Sequence, residues 1–204
     1  MKKVSALFLL VFGLVVTSLA QPSVTLLTFA GYTFDDNSFD TEYGGGKIGG
    51  GFQGGGGLEI GMSEHAAIEL IYQNIKSDVT YAGFNGNYHG KCGINYAMLG
   101  GTRYAPVNEK ISGFGSVDLG AAWSNPEESL KSESVTKFAI GGRLGVRIQA
   151  NEKVSVRLHA QVLSPVQWAG GGFYFGTGGS GAGVSTGSTI WQFNLGGSLN
   201  FRLK

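Results

Sequence analysis

From Trp191 to Leu203 the chain alternates without interruption. Trp191, Phe193, Leu195, Gly197, Leu199, Phe201 and Leu203 are apolar or glycine, and Gln192, Asn194, Gly196, Ser198, Asn200 and Arg202 lie between them. A period of two is that of a strand, whose successive side chains leave opposite faces. About a dozen residues is also roughly what a tilted strand needs to cross a bilayer. The pattern recurs and predicts eight strands: Val24–Phe34, Ile48–Met62, Ala66–Lys76, Cys92–Tyr104, Lys110–Trp123, Val135–Gln149, Lys153–Trp168 and Thr189–Leu203. Leu27 and Phe29 break the alternation in the first, and glycine dilutes it in the second.

The connections carry as much information as the strands. Ser63-Glu64-His65, Pro106-Val107-Asn108-Glu109 and Ala150-Asn151-Glu152 read as tight turns. Longer polar stretches near Asp35–Lys47, Ser77–Lys91, Ser124–Ser134 and Ala169–Ser188 read as loops, and long and short connections alternate strictly. Transmembrane barrels are wired in this way, with short periplasmic turns and longer extracellular loops. An even strand number then puts both termini in the periplasm. Under that wiring Trp123, Trp168 and Trp191 fall at the outer rim beside Tyr32 and Phe34, and Tyr104 and Phe201 fall at the opposite rim. Aromatic girdles at both interfaces are expected of such barrels.

Parity also separates inside from outside. Phe138, Ile140, Leu144, Val146 and Ile148 share one face of their strand, against Lys137, Arg143, Arg147 and Gln149. Val154, Val156, Leu158, Ala160 and Val162 likewise oppose Ser155, Arg157, His159 and Gln161. A lysine or arginine facing lipid at mid-membrane costs roughly 2–4 kcal/mol, so the charges belong inside. There Glu59, Glu69 and Asp118 can meet Arg103, Arg143, Arg147, Arg157 and Arg202, with His159 in the same hydrogen-bonding network. Eight strands enclose a space that side chains just fill, so the expectation is a plugged, salt-bridged lumen.

The N-terminus and composition narrow the class. Lys2 and Lys3 precede an apolar run from Val4 to Val16, followed by Ser18-Leu19-Ala20. This is the pattern of a secretory signal peptide spanning residues 1–20, cleaved before Gln21, with a barrel domain at 21–204. Removing Lys2 and Lys3 leaves 13 basic against 14 acidic residues, a balance that gives no electrostatic reason to expect nucleic acid. A single cysteine, Cys92, offers neither a disulfide framework nor a thiolate metal site. It lies on the apolar parity of its strand and is expected to face lipid. The 36 glycines follow no collagen period, and many fall inside alternating segments, where they permit close approach and bending.

With the leader, the alternation of four long loops with three short turns, and Trp191–Leu203 as a closing strand, the chain resembles the small bacterial outer-membrane barrels: the OmpA-type transmembrane domain and the opacity-protein group. Members often end on an aromatic residue, whereas this chain ends Phe201-Arg202-Leu203-Lys204. The resemblance implies an all-β, eight-stranded antiparallel up-and-down transmembrane barrel behind a cleavable signal peptide. It also implies outer-membrane lipid as the surroundings, the barrel assembly machinery and periplasmic chaperones as partners in biogenesis, and a structural, adhesive or small-pore role. Any extracellular loop partner is left unidentified.

Other motifs point to weaker readings. Gly49-Gly50-Gly51-Phe52-Gln53-Gly54 matches G-x-G-x-x-G, but a dinucleotide site needs a helix after it, and Leu58-Glu59-Ile60 continues a strand. No metal-ligand spacing joins His65, on a turn, His89, on a loop, and His159, so neither a metal nor another cofactor is expected. Ser155 and His159 share a face, but four residues of strand separate them by about 13 Å, which disfavours a lipid A-modifying acyl hydrolase. The acidic stretch Asp35–Glu42 has oxygen ligands for Ca²⁺ but no EF-hand spacing, so it reads as a solvated loop. Phe173-Tyr174-Phe175, within the Gly/Ser/Thr-rich stretch Gly170–Ser188, could bind a partner or extend the girdle. The leading expectation is a non-enzymatic barrel scaffolding four extracellular loops. The alternatives are a narrow gated pore with an arginine-lined lumen and, further off, the acyl hydrolase or a soluble lipocalin-like barrel.

Overall fold

The computed structural model describes residues 23–41, 44–83, 86–126, 134, 136–166 and 191–203. Among them the regular elements are nine strands: β1 (Val24–Thr33), β2 (Asp36–Thr41), β3 (Gly44–Ser63), β4 (Ala66–Gly83), β5 (Gly86–Pro106), β6 (Ile111–Pro126), β7 (Thr136–Gln149), β8 (Val154–Val166) and β9 (Gln192–Arg202). Each of β3 to β8 pairs antiparallel with the next. β1 pairs with both β9 and β3, which closes eight strands into a barrel, and β2 pairs with β3 outside that ring. Closure leaves the wall without an unpaired edge, the condition for putting strands into hydrocarbon.

The register shows how strongly the strands are staggered. From Arg202 of β9 the paired residues run Thr25, Glu59, Glu69, Gly100, Asp118, Gly141 and Leu163, and the circuit returns to β9 at Gln192, ten residues away. A fixed stagger of this kind tilts the strands against the barrel axis. Residues that meet across the interior are therefore far from level with one another in sequence register.

One end of the barrel is trimmed by tight turns. Between β5 and β6, and again between β7 and β8, the same three residues occur: Asn108-Glu109-Lys110 and Asn151-Glu152-Lys153. Asn108 Oδ1 accepts from the backbone N–H groups of Lys110 (2.9 Å) and Ile111 (2.8 Å). Asn151 Oδ1 accepts from Lys153 and Val154, both at 2.9 Å. An Asn side chain thus takes up the two donors that the reversal of the chain leaves unpaired. The ends of β1 and β9 lie beside these turns, where Leu203 N donates to Val24 O and Arg202 N to Lys153 O.

The other end is asymmetric. β3, β4 and β5 have 20, 18 and 21 residues, whereas β7, β8 and β9 have 14, 13 and 11. Their excess forms a four-stranded flap with β2, in which Gly45 pairs with both Asp40 and Ala82, and Ala82 pairs with Asn87. Two expectations are corrected here. Most of the stretches 35–47 and 77–91 is strand, and His89 lies in β5 with its ring 3.1 Å from Thr80 Oγ1. Polar, glycine-rich composition concealed these ribbons, because no apolar alternation marks them as strands. The glycine motif at 49–54 is β3 throughout. Residues 1–22, most of the loop 124–134, and the stretch 167–190 with Trp168 and Phe173-Tyr174-Phe175 lie outside the described residues.

Replacing Asn108 or Asn151 with Ala should lower stability by about 1 kcal/mol each, the usual net worth of such bonds. The double variant should be additive within about 0.5 kcal/mol, because the turns are separate. Urea unfolding of the refolded barrel in micelles measures both, and unchanged midpoints would contradict this role for the turns.

Candidate functional site

The interior begins with a problem of like charge. Glu59 of β3 and Glu69 of β4 are direct cross-strand partners, and both point inward and are buried. Like charges placed opposite one another destabilise a sheet. Arg157 of β8 reaches both across the barrel: Nη1 donates to Glu69 Oε1 at 2.8 Å, and Nη2 forms a very short contact with Glu59 Oε2. Asp118 lies two strands beyond Glu69 in the same row. Arg143 of β7 joins these two, with Nη2 2.6 Å from Glu69 Oε2 and 3.0 Å from Asp118 Oδ1, and Nε 3.2 Å from Asp118 Oδ2. Both guanidiniums are only 1% exposed.

Neutral groups complete the cluster. Thr102 Oγ1 donates to Glu69 Oε1 at 2.7 Å, and Tyr104 OH bonds Glu59 Oε2 and also meets Arg157 Nη2. Arg147 lies over the Tyr104 ring at 4.2 Å. Two guanidiniums, Arg143 and Arg157, thus pair with the three carboxylates Glu59, Glu69 and Asp118. Gly100, between Glu69 and Asp118 in the row, supplies the room. A Cβ there would stand 1.9 Å from Asp118 Oδ1.

Next to the charged layer, amides and apolar groups fill the barrel. Gln53 Nε2 donates to Gln161 Oε1 at 2.9 Å, and Gln161 Nε2 to Gln73 Oε1 at 3.0 Å. Tyr96 OH donates to Gln192 Oε1 at 2.6 Å. Leu27, Phe29, Ile71, Ile75, Met98 and Leu163 pack around them. His159 points inward, but its ring stands edge-on to Phe29 and Phe114, and Nδ1 has no partner among the described residues. Ser155 Oγ instead accepts from Asn200 Nδ2 at 3.4 Å. Among the described residues no cluster of His, Cys, Asp or Glu has the arrangement of a metal site.

Four expectations are overturned. Arg103 is exposed on the outward face of β5, away from the charged cluster, whereas Tyr104 is buried inside and is no rim residue. Cys92 is buried on the inward parity and does not face lipid. The common cause is that β5 turns its larger apolar residues, Tyr96, Met98 and Tyr104, inward to fill the lumen. Leu27 and Phe29 do the same in β1. Arg202 has the inward parity of β9 but is exposed at the strand end. The amides of Gln53, Gln73 and Gln192 escaped sequence reasoning. The available signal was parity: Gln53 shares it with Glu59, Gln73 with Glu69 and Gln192 with Arg202.

The outer wall is apolar. Leu70, Leu99, Val117, Leu119, Leu144, Leu158, Leu195 and Leu199 are exposed on it, Leu144 to 72%. Toward the flap end, Tyr32 packs edge-on to Phe34, which stacks on Phe193, with exposed Trp191 adjoining the start of β9. Trp123 tilts over Tyr72, whose hydroxyl donates to Asn95 Oδ1 at 2.7 Å. Phe201 is outward and half-buried near the opposite end.

A closed barrel with an ion-paired interior and an apolar exterior is a transmembrane β-barrel. Its fold is that of the small outer-membrane barrels of OmpA and opacity-protein type. Neisserial surface protein A, from Neisseria, superposes with a TM-score of 0.58 at 9% identity, covering 89% of this chain and 97% of that one. The outer-membrane protein OprG of Pseudomonas aeruginosa does so with 0.54 at 14% identity, covering 88% and 96%. No protein-family model matches the sequence, and no curated protein does.

Gly100→Ala should push Asp118 off Arg143 and leave a buried guanidinium short of a partner, at a cost of about 3–5 kcal/mol. Gly101→Ala, whose new Cβ would face outward with nothing within 4 Å, should change stability by less than about 0.5 kcal/mol. Unfolding midpoints in micelles compare the two, and equal effects would contradict the role given to Gly100.

Proposed function

We propose that this chain is an integral protein of the bacterial outer membrane, released from a signal peptide at residues 1–20, whose filled barrel is a scaffold for surface interaction. Both chain ends and the tight turns face the periplasm, and the flap and remaining loops face outward. The observation that carries this reading is the interior packing: Arg143, Arg157, Leu27, Ile75, Gln161 and Leu163 leave essentially no exposed surface along the barrel. A water-filled conduit needs a polar, hydrated interior, and here the carboxylates are paired with Arg143 and Arg157 and much of the remaining interior is apolar. The surface designation of the Neisserial relative in fold agrees with an outward-facing role.

The flap formed by β2 and the overhangs of β3, β4 and β5 is the part most suited to meet a partner. Its strands run well beyond the length that the shorter strands need to cross the membrane. Nothing in the site calls for enzymatic chemistry, and the reading includes none. Barrel assembly machinery and periplasmic chaperones deliver the chain, as for other barrels of this architecture.

Two measurements test the reading. In planar bilayers the refolded protein should be silent. Discrete, salt-dependent steps that lose anion preference on Arg147→Ala would instead make it a narrow arginine-lined pore. Orientation is tested with a membrane-impermeant maleimide on intact cells. Ser134→Cys should label directly and Glu109→Cys only after lysis, and the reverse order would invert the topology.

A further inference from the structure

The outer wall is not uniformly convex. A groove of about 470 Å³ opens on it across β3 to β7, near the end that carries the tight turns. Its geometry follows from two adjacent rows of outward residues. In one, Ala66, Arg103, Gly115 and Leu144 are successive cross-strand partners, and in the next, Ile68, Gly101, Val117 and Gly142 are. Gly101 and Gly115 form the floor, and Ile68, Val117 and Leu144 form the walls. A Cβ on Gly101 would meet no atom within 4 Å. The groove is therefore open toward the surroundings and free of protein.

Arg103 stands at the mouth of this groove. It pairs with Ala66, the first residue after the turn joining β3 and β4, so it sits at the rim and not at mid-wall. It is exposed, and among the described residues no carboxylate lies within ion-pair distance of it. The other large side chains that line the groove, Met62, Ile68, Val117 and Leu144, are apolar. A guanidinium offers a planar fork of donors that fits phosphate oxygens in pairs, and at this depth lipid phosphates are the anions available. A second groove over β1, β8 and β9 has no such cation at its mouth; Arg157, which borders it, is turned inward to the carboxylates.

We infer that this groove is a binding site for one phospholipid of the periplasmic leaflet, an acyl chain lying over Gly101 and Gly115 and an anionic headgroup phosphate held by Arg103. The fit is set by charge at one end and by apolar relief at the other. An anionic lipid with no second cation on its headgroup leaves its phosphate free for Arg103, so phosphatidylglycerol is favoured over phosphatidylcholine. The inference rests on the membrane-spanning orientation proposed above.

Native mass spectrometry of the full chain, extracted in detergent and offered equal phosphatidylglycerol and phosphatidylcholine, reads the site directly. The wild type should retain one phosphatidylglycerol with about a three-fold preference, the size expected of an exposed charge pair. Arg103→Gln should abolish the preference, and Arg103→Lys should keep part of it. Gly101→Leu should reduce retention of both lipids by filling the groove while leaving Arg103 in place. Equal retention of the two lipids by the wild type, or a preference unchanged in Arg103→Gln, would overturn the inference. Folding is scored separately by the heat-dependent gel mobility of each variant. Failure of the wild type to fold into lipid vesicles would overturn the membrane reading beneath it.

Discussion

Everything inside this barrel is arranged around three carboxylates brought onto one cross-strand row. Glu59 and Glu69 oppose each other directly, and Asp118 follows two strands later. Removed from water, such a row is tenable only with cations between its members. Arg157 bridges the first pair and Arg143 the second. Arg157 and Arg143 reach Glu59 and Glu69 from the opposite wall, which fixes β8 and β7 relative to β3 and β4, while Arg143 meets Asp118 on the adjoining strand β6. Gly100 leaves the space, Thr102 and Tyr104 supply the remaining hydrogen bonds, and Arg147 covers the Tyr104 ring. With the carboxylates paired in this way, the amide and apolar layers fill what remains of the interior.

The same closure sets the outside. Once the ion-paired cluster and the glutamines are taken inward, what dominates the outward parity is Leu, Val, Ile, Gly and aromatic residues, a surface stable in hydrocarbon and poorly suited to water. The soluble lipocalin-like alternative requires the opposite polarity. Strand length then divides the two ends. Strands of 11 to 14 residues span the band between β6 and β1, whereas β3, β4 and β5 run on past it into the flap. Tight turns built twice from Asn-Glu-Lys close the other end. A short end and a long end on a filled cylinder suit a scaffold that displays structure on one side of a membrane.

Much of the architecture was legible from periodicity. Trp191 to Leu203 alternates so cleanly because β9 is lined by small polar residues inside and large apolar ones outside. β6 and β7 read correctly for the same reason. β5 did not, since a filled lumen needs bulk as well as polarity. Tyr96, Met98 and Tyr104 provide that bulk, which inverted the apparent apolar face and misplaced Arg103, Tyr104 and Cys92 together. Leu27 and Phe29 looked like defects in β1 and are packing residues. In the charged cluster the participants Glu59, Glu69, Asp118, Arg143 and Arg157 could be selected by parity. Their pairing depends on the ten-residue stagger of the closed sheet, which no local pattern carries. The ribbon extensions of β3 to β5 were hidden by polar, glycine-rich composition.

Glu69 and Arg157 act as a coupled pair holding opposite walls of the barrel together. A double-mutant cycle measures it most directly: Glu69→Gln, Arg157→Gln and the double variant, each refolded into lipid vesicles and unfolded with urea. A coupling energy of about 1–3 kcal/mol is predicted, with the double variant less destabilised than the sum of the singles. Strict additivity within about 0.3–0.5 kcal/mol would mean the two residues do not hold the walls together, and would contradict the account.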